Sequence, residues 1–366
     1  MAADLIVTEI EIERFRSYQS LTLSLDPRIT VLVGRNAVGK TNIIEALELV
    51  TAAESFRRPT WRDLITWGEG STRITLSAEG VGRVVEISLT VDQENGKRDY
   101  QVNGSRKKRV SEVKGILPSV LFTPNDLSLV KGPAENRRLL VDALGGQLSA
   151  VYESLRKEYS RVVRQRNSAL KNGLEETLIH SFDTTLVALG GKFTGHRARL
   201  VGKVKKHAEG IYNELTGGES LEIQYLTPWS SSAVDPTKEE EVGRAIQEQT
   251  NRMASEERAR KTTLCGPHKD DILFLIDGRP SREFGSQGQQ RTVALAWKLA
   301  EVEVISEVAG VAPLLLLDDV MSELDGSRRT QLARVAGLKA QTVFTTTNIG
   351  YFDDELLSRA QVVDLS

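Results

Sequence analysis

One cysteine, Cys265, stands in this chain of 366 residues. A single thiol excludes an intramolecular disulfide framework and any zinc site built from several cysteines. With no histidine constellation beside it, Cys265 reads as a small buried residue. Histidine itself is scarce, at four residues, and aromatic residues make up only 5%. No run approaches the roughly 18 apolar residues that a membrane-spanning helix needs. The amino terminus lacks a basic segment followed by an apolar stretch, so no secretory leader is expected and the cytoplasm is the expected compartment. Neither sign of charge dominates: 48 Lys and Arg face 50 Asp and Glu, a formal net charge of -2. That excludes a uniformly basic, histone-like binder while leaving room for local basic faces.

Forty per cent hydrophobic and 27% charged residues suit an ordinary globular protein with a sizeable core, and the length favours two domains. From Leu5 to about Phe122 the pattern is short strands. Ile6, Thr8, Ile10 and Ile12 alternate with Val7, Glu9, Glu11 and Glu13, as in a half-buried strand, and Ile29 to Val33 is a compact apolar run. Further strands are expected at Arg73–Leu76, Val84–Val91 and Asp99–Val102, with Asn103-Gly104 as a hairpin turn. From about Pro133 to Arg260 the chain reads as helices broken near Gly145-Gly146, Gly190-Gly191 and Gly217-Gly218. Between Val151 and Gly210 it is locally basic, with 12 Lys/Arg against 6 Asp/Glu. The last segment alternates again: Ile272–Ile276, a helix from about Gln287 to Val308, Pro313–Leu317, a helix after Asp325, and Thr342–Thr346. Such alternation implies βα units and a parallel sheet. The expected organisation is an α/β head, a mixed sheet flanked by helices, made from residues 1–130 and 263–366 around an inserted, mainly helical arm lobe at 131–262.

Gly34-Arg35-Asn36-Ala37-Val38-Gly39-Lys40-Thr41 carries the full P-loop spacing between an apolar strand and a helix. Glycines let the backbone turn its N–H groups onto phosphate oxygens, Lys40 reaches the β- and γ-phosphates of ATP, and Thr41 ligates Mg²⁺. Asn42 opens the helix that follows. Leu314 to Leu317 form a strand buried on both faces that ends in Asp318-Asp319. Asp318 is placed to hold Mg²⁺, and Asp319 to orient or deprotonate the attacking water. Ser286-Gln287-Gly288-Gln289 opens a second helix with a capping Ser and a Gly, a further anion site.

The order P-loop, Ser-x-Gly-Gln helix, Asp-Asp strand and Ser322-Glu323-Leu324-Asp325 is that of ABC-type ATPases. In that motif set the Ser-Gly helix of one subunit caps the γ-phosphate held by the other. Together with Arg14-Phe15-Arg16-Ser17-Tyr18, Ser55-Phe56-Arg57-Arg58, Phe122 to Leu127, Gly132 to Arg138 and Gly266 to Asp271, the chain resembles the RecF family of bacterial DNA replication and repair proteins. The resemblance implies an ABC head related to chromosome-structuring ATPases and a short helical arm. It further implies an ATP-dependent homodimer on double-stranded DNA, slow ATP hydrolysis, and cooperation with RecR and RecO in placing RecA at gapped DNA.

The chain departs from the wider ABC pattern. Gln287 replaces the first Gly of the Ser-Gly-Gly-Gln signature, and Asp319 stands where most relatives have Glu. No His follows the Asp-Asp strand; Thr346, Thr347 or Asn348 takes the switch position, and Asn125 or Asp126 that of the usual metal-linking Gln. Candidate DNA phosphate contacts are Arg57, Arg58, the run Arg106, Lys107, Lys108 and Arg109, and the basic arm. Arg57 and Arg58 have a rival role at the γ-phosphate. Few exposed aromatics are expected beside these charges, which disfavours base stacking. Backbone-directed, salt-sensitive binding is expected instead. His268, beside Lys269, Asp270 and Asp271, reads as structural rather than metal-ligating. The nucleotide-binding subunit of a membrane transporter shares the motif order, but it has no use for a basic helical insert. For a nuclease-associated protein, a carboxylate cluster is missing.

Overall fold

Alternating side chains build the first sheet. The computed structural model describes residues 5–80, 82–230 and 233–365. Strands β1 (Ile6–Phe15) and β2 (Tyr18–Ser24) open the chain, followed by β3 (Ile29–Val33) and helix α1 (Lys40–Thr51). Then come β4 (Ser71–Gly80), β5 (Arg83–Asp92), β6 (Arg98–Val102), β7 (Ser105–Lys107) and β8 (Ser119–Phe122). Six of these strands form an antiparallel sheet in the order β2-β1-β4-β5-β6-β7. Ile10, Ile12 and Phe15 are buried while Glu11 and Glu13 face solvent. A bulge between Val7 and Glu9 shifts the register, so Val7 is buried rather than Ile6 or Thr8, against the simple alternation. Asn103 and Gly104 both adopt positive φ and make the expected hairpin turn between β6 and β7.

A largely helical stretch follows: α2 (Ala134–Leu148), α3 (Ala150–Lys171), α4 (Glu176–Thr216), β9 (Leu221–Leu226), α5 (Glu239–Arg252) and α6 (Ala254–Arg260). It continues through β10 (Asp271–Ile276), β11 (Arg279–Pro280), α7 (Ser281–Phe284) and α8 (Gln287–Ala309). The chain ends with β12 (Leu314–Asp318), α9 (Gly326–Val335), β13 (Thr342–Thr346), α10 (Asp354–Leu357) and β14 (Gln361–Asp364). Strands from both chain ends make a parallel five-stranded sheet ordered β14-β3-β13-β12-β8. One apolar core joins this sheet, α1 and the antiparallel sheet, with Ile43, Ile44 and Leu47 of α1 packed alongside Leu32, Leu316, Val343, Ile12 and Ile74.

The chain divides into two compact units, Met1–Ser128 with Ala294–Ser366, and Leu129–Val293. The second unit runs past the boundary at 262 read from the sequence. β10 pairs residue by residue with β9, and β11 with β10, so their hydrogen bonds keep these strands with the helical unit. The passage back lies within α8.

Two expected helix breaks are absent. α2 runs through Gly145-Gly146, and α4 runs through Gly190-Gly191 for 41 residues; only Gly217, at φ 72, ends a helix. The uninterrupted glycines are close-packing positions. A Cβ at Gly145 would lie 2.5 Å from the Tyr152 ring, one at Gly190 2.6 Å from Ile246, and one at Gly191 2.4 Å from the Glu239 carbonyl oxygen. Gly191→Val is therefore expected to force α5 off α4 at a cost of about 1–3 kcal/mol, read as a lowered thermal midpoint.

His268 is structural, as expected: Nδ1 pairs with the Tyr159 hydroxyl at 2.7 Å and Nε2 with the Thr263 carbonyl at 3.0 Å. Burial pushes its pKa down to about 4. Asp270 accepts from Trp229 Nε1 at 2.6 Å, whereas Asp271 pairs with Arg137. Among the described residues there is no group of three His, Cys, Asp or Glu able to hold a metal ion, and no helix is long and apolar enough to cross a membrane.

Candidate nucleotide-binding site

The turn from β3 into α1 is a cradle that only glycine permits. Gly39 has φ 108, and a Cβ there would lie 2.6 Å from the Tyr18 hydroxyl. Ala37 also takes positive φ. Arg35, Asn36, Ala37 and Val38 line an open depression of about 480 Å³. Lys40, almost wholly buried, donates to the carbonyls of Gly34 at 2.7 Å and Arg35 at 2.8 Å. Its ammonium thus lies folded along the loop, held only by neutral acceptors. An anion offers a stronger, charge-assisted bond.

At the end of β12, Asp318 Oδ1 accepts from Thr41 Oγ1 at 3.0 Å and from Thr345 Oγ1 at 2.7 Å. The P-loop threonine and this carboxylate are therefore already in contact, although 277 residues separate them. Asp319 is in the left-handed region at φ 51, with its N–H bonded to Thr345. Its Oδ1 is shielded from solvent and has no partner. Burial first, and the neighbouring Asp318 second, raise its pKa above the usual carboxylate value. A hydroxyl and a carboxylate side by side form a hard-oxygen donor set, and Mg²⁺ typically takes one or two carboxylates and fills its shell with water and phosphate. The orphaned Asp319 oxygen is free to accept from a water. These residues fit a nucleotide with Mg²⁺.

In the helical unit, Ser286 and Gln289 cap α8 reciprocally: Ser286 Oγ accepts the Gln289 N–H at 3.2 Å, and Gln289 Oε1 accepts the Ser286 N–H at 2.9 Å. Gln290 anchors this start from below, donating to the carbonyls of Ser281 and Gly285. Ser286 and Gln287 are exposed, and Gly288 is half-buried. Asp325 is the N-cap of α9, accepting the Arg328 N–H at 3.0 Å.

A family model described as the RecF/RecN/SMC N-terminal domain matches residues 6–357. The DNA replication and repair protein RecF of Geobacillus thermodenitrificans is 36% identical, over 98% of this chain and 97% of its own length. That of Nostoc punctiforme is 38% identical, over 97% and 96%. The chain belongs to the RecF family. A solved structure of the recombination mediator protein RecF with ATPrS, in the RecFOR pathway, superposes on this RecF-family chain with a TM-score of 0.89. It is 29% identical and covers 96% of this chain and 95% of that one. An Smc head bound to the C-terminal winged-helix domain of ScpA shares the fold, with a TM-score of 0.57 at 16% identity.

The remaining candidates scatter over this RecF-family fold. Arg57 Nη1 donates to Asn42 Oδ1 at 2.8 Å and to Glu45 Oε2 at 3.1 Å, which holds it against the first turns of α1. Arg58 is exposed at φ 49. Arg106 pairs with Asp99, Lys107 is half-buried in β7, and Lys108 and Arg109 are exposed. Asp126 accepts from Thr123 N and Oγ1 and faces Lys298, while Asn125 is exposed. Thr346 is buried and bonded to the Asn348 backbone, Asn348 caps the next turn, and Thr347 is exposed.

Sequence reading missed four participants. Thr345 bridges Asp318 and Asp319. Tyr18 rests on the P-loop, its hydroxyl 3.4 Å from the Val38 carbonyl. Glu45, fully buried, accepts two bonds from Arg16 and one from Ser55 besides Arg57. Its place four residues after Thr41, on the apolar face of α1, was the available signal. The fourth corrects the expectation of few exposed aromatics: Trp67, close after Arg57 and Arg58, is 99% exposed.

Proposed function

We propose that this chain is an ATP-dependent DNA-binding repair protein whose nucleotide-loaded state is a head-to-head homodimer on double-stranded DNA. The observation that carries the reading is the convergence of Lys40, Thr41, Asp318 and Thr345 around an Asp319 oxygen left without a partner. The backbone N–H groups of Gly34 to Thr41 cradle the phosphates, and the Lys40 ammonium turns from the loop carbonyls to the β- and γ-phosphate oxygens. Thr41 and Asp318 hold Mg²⁺, which supplies positive charge to those oxygens. Asp319, with its raised pKa, accepts a proton from the attacking water. Its shorter reach than Glu suits slow turnover.

Ser286, Gln287, Gly288 and Gln289 serve the other copy. The first N–H groups of a helix lack intrahelical acceptors, and those of Gln287 and Gly288 point the dipole of α8 at the γ-phosphate held by the partner. Asp325 belongs to the same interface. Hydrolysis then releases the pair from DNA. In the cell this reading places the protein in the cytoplasm, associated with the nucleoid. There it cooperates with RecR and RecO to load RecA at gaps during recombinational repair and replication restart. Arg58, Arg106, Lys107, Lys108, Arg109 and the basic arm supply phosphate contacts, and Arg57 serves the nucleotide or DNA.

Sedimentation with and without ATP tests the composite site. The wild-type chain is expected to be monomeric alone and dimeric with ATP, and its affinity for duplex DNA to fall as salt rises. Ser286→Arg is expected to bind nucleotide as a monomer and never pair. Pairing by this variant would overturn the assignment.

A further inference from the structure

Trp67 sits at the tip of a four-residue turn, Thr66 to Glu69, closed by the Glu69 N–H on the Thr66 carbonyl at 3.0 Å with Gly68 at φ 87. Single exposed apolar side chains are ordinary on protein surfaces. Here, however, the largest side chain is wholly solvated on a turn that is fixed at its base. The Thr66 N–H bonds the Arg14 carbonyl at 2.9 Å, its hydroxyl bonds the Tyr18 carbonyl at 3.2 Å, and the Arg16 N–H bonds the Leu64 carbonyl at 2.8 Å. Leu64 and Ile65 anchor the same segment in the core. The turn therefore presents the indole rigidly, so little ordering entropy is lost when a partner covers it.

We propose that Trp67 is a stacking platform for an unpaired base of DNA, joined through Thr66 and Tyr18 to the P-loop; this rests on the DNA-binding reading above. Charge selects the partner. Between Arg57 and Gly68 the chain has three arginines and one acid, Asp63, and that acid is engaged by the Thr60 N–H. Arg58 and Arg62 are exposed without an ion-pair partner among the described residues. An aromatic face flanked by guanidinium groups suits a base and its phosphates. The coupling path is short. Thr66 holds the backbone of Tyr18, whose ring lies against Gly39 and whose hydroxyl meets Val38. Next to it, Ser17 accepts from Asn42. A base seated on Trp67 thus bears on the residues that shape the phosphate cradle, and nucleotide must in turn bear on DNA.

The experiment combines fluorescence with binding. Of the four tryptophans, Trp297 and Trp229 are buried and Trp61 lies under Arg98, so Trp67 dominates quencher-accessible emission. Oligodeoxythymidylate added to the wild-type chain without ATP is expected to quench that emission, and Trp67→Phe to abolish the change. Trp67→Ala is expected to weaken binding to a duplex with a single-stranded overhang roughly 5- to 100-fold, while blunt duplex and nucleotide binding stay near wild type. Thr66→Val is expected to keep overhang affinity and lose stimulation of ATP hydrolysis by DNA. Unquenched emission together with unchanged overhang affinity in Trp67→Ala overturns the platform; if that variant instead loses a protein partner, the surface docks protein. Stimulation that survives in Thr66→Val overturns the coupling. Failure of ATP to promote blunt-duplex binding by the wild type, with the oligothymidylate quench intact, counts against the dimer reading alone.

Discussion

Lys40→Met is expected to lose nucleotide binding, with affinity for ATP falling by roughly 30-fold to several thousand-fold as titration calorimetry would register it. The estimate is the cost of truncating one member of a desolvated, hydrogen-bonded charge pair, about 2–5 kcal/mol. Two features place Lys40 in that class. Its ammonium is almost fully buried, and its present partners are the neutral carbonyls of Gly34 and Arg35, so phosphate oxygens are the charged acceptors it lacks. Met keeps the length and apolar stem, leaving the packing of α1 in place. A circular-dichroism spectrum matching wild type beside unchanged ATP affinity would remove Lys40 from the phosphate site.

Asp319→Asn separates binding from chemistry. ATP affinity is expected to stay close to wild type while turnover falls about 100- to 10,000-fold, the range for loss of a general base. The carboxamide is nearly isosteric and preserves the left-handed φ 51, a conformation Asn tolerates well. What it removes is the proton-accepting oxygen, which now has no partner. The variant should accumulate as an ATP-loaded dimer, and turnover at the wild-type rate would leave Asp319 without a role in the reaction.

The P-loop, the Asp-Asp strand and the parallel sheet were legible because each depends on local spacing. Gly34 to Thr41 needs only its own backbone, and four leucines before Asp318 announce a strand buried on both faces. Thr345 was illegible for the opposite reason. Its hydroxyl matters only because β13 pairs beside β12, a fact of sheet order rather than of the sequence around it. The glycine pairs misled in a related way. Gly190 and Gly191 carry the composition of a helix break, yet their function is to let α5 approach α4, and a partner 50 residues away is invisible to a local rule. Trp67 escaped because nothing nearby in the sequence distinguishes an indole that anchors a core from one that stands in water.

Sheet order also governs how the chain comes together. β3, which delivers the P-loop, has β13 and β14 as its two neighbours, both made only after the arm is complete. A ribosome adding about 5–20 residues per second leaves β3 without a lateral partner for roughly 15 to 60 seconds. The antiparallel sheet and the helical insert are synthesised in full before then. The strand that will hold the triphosphate is therefore the last edge to close, and a nascent chain stalled before Thr342 exposes Ile29–Val33 as bait for chaperones and for aggregation.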